Sequence, residues 1–200
     1  MNLSNLQKIL WAMAATAALL YIGLLLRPDS VSENERTAND NPFFAEFELT
    51  DHRGMVQTQR DFSGRWMLIF FGFTNCPDIC PTTLSEVAAV MEGLGGEAEK
   101  VQPIFITIDR ERDSPMVLSQ YVEQFEAGII GLTGTANQMA AISESFPIFF
   151  ERNEEASAPG GYTMSHTSNL FLFDTQAGYS TSWPYGTSAE EILADLQERI

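Results

Sequence analysis

The apolar positions of the chain fall into three kinds of pattern, and each predicts a different element. The first is an unbroken run. Residues 9–26, ILWAMAATAALLYIGLLL, carry no charge and are flanked by Lys8 and Arg27. At about 1.5 Å per residue, a helix of that length spans about 27 Å, close to a bilayer core. A cleaved secretory signal usually has a shorter apolar stretch, about 7–15 residues, ending in a small-residue cleavage site. RPDSVSENE after this run offers no such site. The run therefore predicts an uncleaved membrane anchor. Residues 27–42 are polar and aperiodic, which predicts a flexible tether.

The other two patterns begin at Phe43. Trp66–Phe73 (WMLIFFGF) and Val101–Ile108 (VQPIFITI) are short continuous apolar runs, as expected of strands covered on both faces. Alternation over residues 43–49, a DHRG turn at 51–54 and Met55–Thr58 predict a strand and a short return strand. Helical spacing appears at Leu84, Val87, Ala88 and Met91, predicting a helix from Pro81 to about Gly93. Ser114 followed by Pro115 opens a second helix. Ala136–Phe146 reads as a third, and Ser188-Ala-Glu-Glu191 is a capping-box sequence that opens the last. Short strands are expected at Ile129–Leu132 and Ile148–Glu151, a loop at 153–161, and a hairpin from Asn169–Phe173 and Tyr179–Trp183. Parallel crossovers come first and an antiparallel hairpin last. The expected fold is α/β and thioredoxin-like, a central mixed sheet flanked by helices, with an N-terminal transmembrane helix. Phe70, Phe71, Phe73, Phe105, Phe171 and Phe173 are expected in its core.

Composition narrows this to one globular domain, with 44% hydrophobic and 11% aromatic residues in a chain of 200. The net charge is −16, and all 27 acidic residues lie beyond position 28. Nucleic acid and anionic lipid surfaces repel so acidic a domain. The charges flanking the apolar run favour, weakly, an N-terminus inside the cytoplasm. The expected organisation is a cytoplasmic tail at 1–8, an anchor at 9–26, a tether at 27–42 and one domain at 43–200 outside the cytoplasm.

The candidate chemistry sits in FGFTNCPDICPTTL, directly after the first buried strand, with the chain's two cysteines at 76 and 80. A disulfide closing so short a loop stabilises little, so a structural staple is a poor explanation. Pro77 and Pro81 disfavour helical backbone in the residue ahead of each. This predicts a turn leading into the helix, with Cys80 near the helix N-terminus. Unpaired N–H groups and the macrodipole favour a thiolate there. Asp78 between the cysteines would raise thiol pKa values unless a cation is present, which tilts the reading toward a metal. Two thiolates alone are an incomplete set, and only His52 and His166 can add an imidazole. His52 lies in the DHRG turn and is expected to be a turn residue. His166 lies just ahead of an apolar strand whose start, in a thioredoxin-like fold, is beside the cysteine loop. Two cysteines and a histidine make a soft, low-coordinate set that suits copper better than magnesium or calcium.

FGFTNCPDICPTTL, TIDRERDSP (107–115), IGLTG (130–134) and YTMSHTSNLFLFD (162–174) together resemble the SCO/SenC copper-chaperone family. The resemblance runs over about residues 43–200. It implies copper, Cu(I) or Cu(II), held by Cys76, Cys80 and His166, and a Cys76–Cys80 disulfide in the oxidised form. Asp78, which belongs to the motif, and Asp109, in the acidic loop after the second buried strand, become outer-shell candidates. The implied role is assembly of the dinuclear copper A centre of cytochrome c oxidase, by delivering copper or by keeping that centre's cysteines reduced. The implied partner is the oxidase subunit with that centre, or another copper protein. The implied location is the bacterial inner membrane, crossed once, with the domain in the periplasm. Two positions depart from the family pattern. Arg110 stands where a proline usually follows Asp109, and Ser165 stands where an aspartate usually precedes the histidine.

A metallochaperone is not an enzyme, but a second class stays open. The pair could act without metal as a thiol–disulfide oxidoreductase, attacking a partner through a mixed disulfide. TNCP is also similar to thiol peroxidase loops, although no basic residue adjoins either cysteine. A redox or copper sensor is a third reading. An oxidoreductase would turn over substrate without metal and without His166.

Overall fold

The computed structural model describes residues 43–200, together with Trp11. Apart from that residue, the expected tail, anchor and tether at 1–42 lie outside the described residues. Among the described residues no helix is long and apolar enough to cross a membrane. The elements run β1 (Glu48–Asp51), β2 (Val56–Thr58), β3 (Trp66–Gly72), α1 (Ile79–Leu94), β4 (Val101–Thr107), α2 (Pro115–Val122), β5 (Ile130–Thr133), α3 (Ala136–Ser145), β6 (Phe150–Glu154), β7 (Tyr162–His166), β8 (Leu170–Phe173), β9 (Tyr179–Trp183) and α4 (Ala189–Gln197).

The two continuous apolar runs, β3 and β4, pair in parallel at the centre of a seven-stranded sheet of order β2-β1-β5-β4-β3-β8-β9. Their side chains are buried from Met67 to Phe71 and from Val101 to Thr107, because the sheet is covered on both faces. Phe70 lies opposite Phe105 in the ladder, and the two rings stack 6.2 Å apart. On the other face Phe71 meets Phe146 and Phe171 edge-on, at 5.1 and 6.0 Å. Each such ring contributes about 1.5–3 kcal/mol by leaving water. β8 runs antiparallel to β3, with Phe70 opposite Leu170. The C-terminal ends of β3 and β4 and the start of β8 therefore share one edge of the sheet.

The mixed α/β sheet, the parallel crossovers and the closing hairpin match the expected thioredoxin-like order. Three local expectations do not. The first strand begins at Glu48 rather than Phe43; ahead of it only an isolated bridge, Phe44 to Gly178, forms. The helix after the cysteines begins at Ile79, ahead of the apolar spacing, so Cys80 is already helical. Pro81 fits because its missing N–H falls among the first-turn groups that have no intrahelical partner. Finally, β6 runs two residues into the expected loop and pairs antiparallel with β7, a strand not foreseen. These two form a separate ribbon, and His166 is its last residue, opposite Phe150.

Gly72 ends β3 directly beneath the cysteine helix. A Cβ there would lie 2.7 Å from Cys80 Sγ and 2.8 Å from the Phe105 ring. Gly72→Ala is expected to lower stability by about 1–3 kcal/mol through overpacking, read as a drop in the urea midpoint without a change in slope.

Candidate metal centre

The turn after β3 is fixed before the helix starts. Cys76 N–H donates to the Phe73 carbonyl at 3.2 Å. Thr74 is held from the β4 side: its N–H and hydroxyl donate to the Asp113 carboxylate at 2.9 and 2.6 Å, and Thr107 donates to the same group at 2.5 Å. Asp113 is fully buried. Burial pushes its pKa up, against the pull of those hydroxyl and amide bonds. Sequence reasoning missed it, although an acid at the end of TIDRERD, ahead of a helix cap, is a visible signal.

Asp78 occupies the N-cap position of α1 but makes no side-chain cap bond. The sulfur of Cys76 takes that place, accepting the Cys80 N–H at 3.4 Å. The helix mouth therefore favours a thiolate at Cys76, ahead of the helix, and not at Cys80 as the spacing suggested. The hydrogen bond from the Cys80 thiol holds Cys76 down at about 4, against the cost of its half-burial. His166 and the N–H groups of Cys80 and Asp78 act in the same direction. Cys80, fully buried, is pushed up, first by that hydrogen bond and then by burial. Two adjacent thiols cannot both ionise cheaply, so one proton stays with the pair.

Asp78 itself is exposed and accepts from the Thr82 hydroxyl at 3.4 Å. The expectation that its carboxylate raises the thiols is overturned at Cys76, where its contribution is a backbone N–H that lowers the pKa.

His166 reaches the pair from the far end of the chain. Its Nε2 is 3.7 Å from Cys80 Sγ, and its Nδ1 is 2.9 Å from the Thr167 carbonyl. A carbonyl only accepts, so Nδ1 carries the proton and Nε2 presents a lone pair toward the sulfur. The half-buried ring stands edge-on to Phe70 and Phe73, at 6.1 and 5.9 Å. His52, by contrast, accepts the Gly131 N–H at Nδ1 and ties the first turn to β5, so it is the turn residue expected.

The Cys80 proton thus faces two acceptors, the Cys76 sulfur and His166 Nε2. A cation replacing it would meet three soft donors. The 3.7 Å separation of Cys80 Sγ and His166 Nε2 is a span that one ion bonded to both could bridge. Among the described residues no group of three or more His, Cys, Asp or Glu side chains stands as a ready-made ion cage. Cys80 Sγ and His166 Nε2 are at hydrogen-bonding range.

Asp109 is buried, and both of its oxygens are engaged: one by Arg112 Nε, the other by the Tyr162 hydroxyl at 2.8 Å. It braces the loop against the ribbon rather than facing the sulfurs. Of the two departures, Arg110 points outward beside Glu111 at 3.8 Å. Ser165 is exposed on the opposite face of β7 from His166 and accepts from Asn153 at 2.8 Å.

The sequence model of the family SCO1/SenC matches residues 35–200. The mitochondrial SCO2 homolog of Bos taurus is 37% identical over 157 residues, covering 78% of this chain and 59% of the relative. The chain thus spans about three fifths of that relative's length. The SCO2-like protein of Rickettsia felis is 36% identical over 152 residues, covering 76% of this chain and 74% of its own. Among solved structures, Bradyrhizobium japonicum ScoI with copper bound superposes with a TM-score of 0.72 at 34% identity, covering 79% of this chain and 99% of that one. Yeast Sco1 with copper bound gives 0.71 at 28% identity, covering 79% and 88%.

The split between the thiols has a direct readout. Iodoacetamide should modify Cys76 at a rate that stays flat from pH 8 to pH 5 and falls as the pH drops through about 4, because its folded pKa is lowered. Cys80, raised and buried, should remain unmodified over the same range. Peptide mass spectrometry after short labelling checks both, and equal labelling at the two positions contradicts the assignment.

Proposed function

The chain belongs to the SCO1/SenC family, and on that premise we propose that it is a membrane-anchored copper carrier serving assembly of the dinuclear copper A centre of cytochrome c oxidase. Copper is its cargo. Cys76, Cys80 and His166 are the proposed ligands. The observation that carries this reading is the approach of His166 Nε2 to Cys80 Sγ at 3.7 Å, across 86 positions of sequence. Nothing in the packing of a plain dithiol requires that approach. The copper-bound ScoI and Sco1 relatives support the choice of metal, as does the softness of two sulfurs and one imidazole.

The residues divide the work of loading. Cys76 is already a thiolate at neutral pH and half-exposed, so it meets the incoming ion first. Cys80 then gives up its proton to solvent as the metal takes its place. His166 offers Nε2 without rearranging its proton, because the Thr167 carbonyl fixes Nδ1–H. A site of three ligands, one of them half-exposed, leaves a side open to a receiving protein's ligands. Delivery requires such an opening.

The apolar run 9–26 supports anchoring in a membrane; the reading places that anchor in a bacterial inner membrane with the domain in the periplasm. The acidity of the chain argues against nucleic acid as a partner.

A second reading rests on the same thiolate. With Cys76 held at about 4, the pair could reduce a client's disulfide. Cys76 would attack one client sulfur and release the other as a thiolate. Cys80 would then displace the client and leave a Cys76–Cys80 disulfide. The raised pKa of Cys80 makes that second step slow.

Anaerobic copper titration of the soluble domain separates the two. Wild type should bind one copper per chain. Cys76→Ser and Cys80→Ser should each abolish tight binding, and His166→Ala should weaken it by about 10- to 100-fold. Full copper affinity in His166→Ala, together with undiminished disulfide reductase turnover, would favour the oxidoreductase.

A further inference from the structure

His166 ends a ribbon that is not part of the main sheet, so the sheet ladder does not hold the imidazole against the cysteine turn. The side chain that spans the gap is Arg112. Its Nε donates to the buried Asp109 carboxylate. Its Nη1 donates to the carbonyls of Pro159 and Tyr162, at 2.6 and 3.0 Å, where β7 begins. Its guanidinium lies 3.8 Å over the Tyr162 ring and 5.8 Å from the Phe73 ring. Phe73 in turn meets the His166 ring edge-on, at 5.9 Å and 88°. Arg152 stacks over the Tyr162 ring, also at 3.8 Å, and the Tyr162 hydroxyl returns to Asp109. One guanidinium therefore grips the first residue of β7 by a hydrogen bond and by its ring face, and touches the ring on which the histidine rests.

We propose that Arg112 is the positioning residue for His166, setting where the imidazole stands relative to Cys80. The inference rests on the reading of His166 as the third copper ligand. The physical basis is the shape of the group. A planar guanidinium donates in its plane and stacks on its faces at the same time, whereas an ammonium of equal charge does neither in that fixed geometry. The cysteine turn has an independent hold, the Asp113–Thr74 pair. Loss of Arg112 should therefore loosen the histidine side of the site and leave the cysteine side in place.

The test uses the soluble domain with Arg112→Lys, which keeps the charge over Asp109, and Tyr162→Phe, which keeps the stacked ring and loses only the hydroxyl. Arg112→Lys is expected to lower copper affinity by about tenfold, as loss of a group orienting a metal ligand does. In a His166→Ala background the same change should cost nothing further, because its effect passes through the imidazole. In the metal-free protein, nitrogen NMR of His166 should show a reduced preference for the Nδ1–H tautomer, while iodoacetamide labelling of Cys76 at pH 7 stays as in wild type. Tyr162→Phe should shift affinity and tautomer in the same direction by a smaller factor. Unchanged His166 signals and affinity in Arg112→Lys overturn the proposal, and so does an equal affinity loss with and without His166. Should Arg112→Lys not fold, unchanged His166 signals in Tyr162→Phe overturn it. Absence of copper binding in the wild type would refute the carrier function. The tautomer readout would still decide whether Arg112 positions the ring.

Discussion

The candidate centre depends on the register of β3 with its two neighbours. Parallel pairing with β4 and antiparallel pairing with β8 bring three chain segments to one edge of the sheet. They are the cysteine turn, the TIDRERD loop, and the residues just after His166. A slip of one residue in β3 would turn Phe70 and Phe71 to the wrong faces. The rings on both sides, Phe105 on one and Phe146 and Phe171 on the other, make that slip prohibitive. The core thus fixes the site's position indirectly, by allowing only one register. Gly72 completes the arrangement, since without a side chain it leaves room for the Cys80 sulfur at the end of the strand.

On that frame, the two cysteines are chemically unequal although their sequence surroundings look alike. Each is followed by a proline, and each lies near the helix start. Backbone geometry separates them. Cys80 is the second helical residue, so its own N–H is one of the unpaired first-turn donors and points back at Cys76. Burial then acts on Cys80 more than on Cys76. A half-exposed thiolate beside a buried thiol is a stepwise arrangement: under the carrier reading, one sulfur would capture and the other secure. The same asymmetry would serve metal capture or thiol exchange, so the histidine, and not the thiols, discriminates between the two readings.

Much of the fold was legible because its signals are local or strongly periodic. The buried strands announce themselves as apolar runs, and the caps at Ser114 and Ser188 appear as written, each accepting an N–H of its own first turn. The ribbon was legible only at the start of β6, for a physical reason. FERNE and YTMSH are mostly polar and partly exposed, so neither alternation nor an apolar run marks them. The ribbon is held through Arg112, Arg152 and Tyr162, a long-range set with no sequence period. At the site, the cysteines were legible from the sequence. His166 was favoured by its place ahead of an apolar strand, and the resemblance added the role of ligand. Asp113 and Arg112 were visible only as charges in a loop, and a surface charge run looks the same. Asp109 was placed beside the site, but its role is to brace the ribbon.

The two departures from the family pattern fall outside this machinery. Side chains alternate along β7, so Ser165 faces away from the edge where His166 meets the sulfurs. Arg110 sits beyond the buried Asp109 and faces solvent with Glu111. Neither touches Cys76, Cys80, His166 or the Arg112 brace through any hydrogen bond. Arg110 adds a cation to an otherwise strongly acidic chain. Rim charges act mainly on encounter rate and partner choice rather than on the strength of a buried contact. The two substitutions therefore leave the contacts of Cys76, Cys80, His166 and Arg112 untouched, and under the carrier reading Arg110 would act on the encounter with a client.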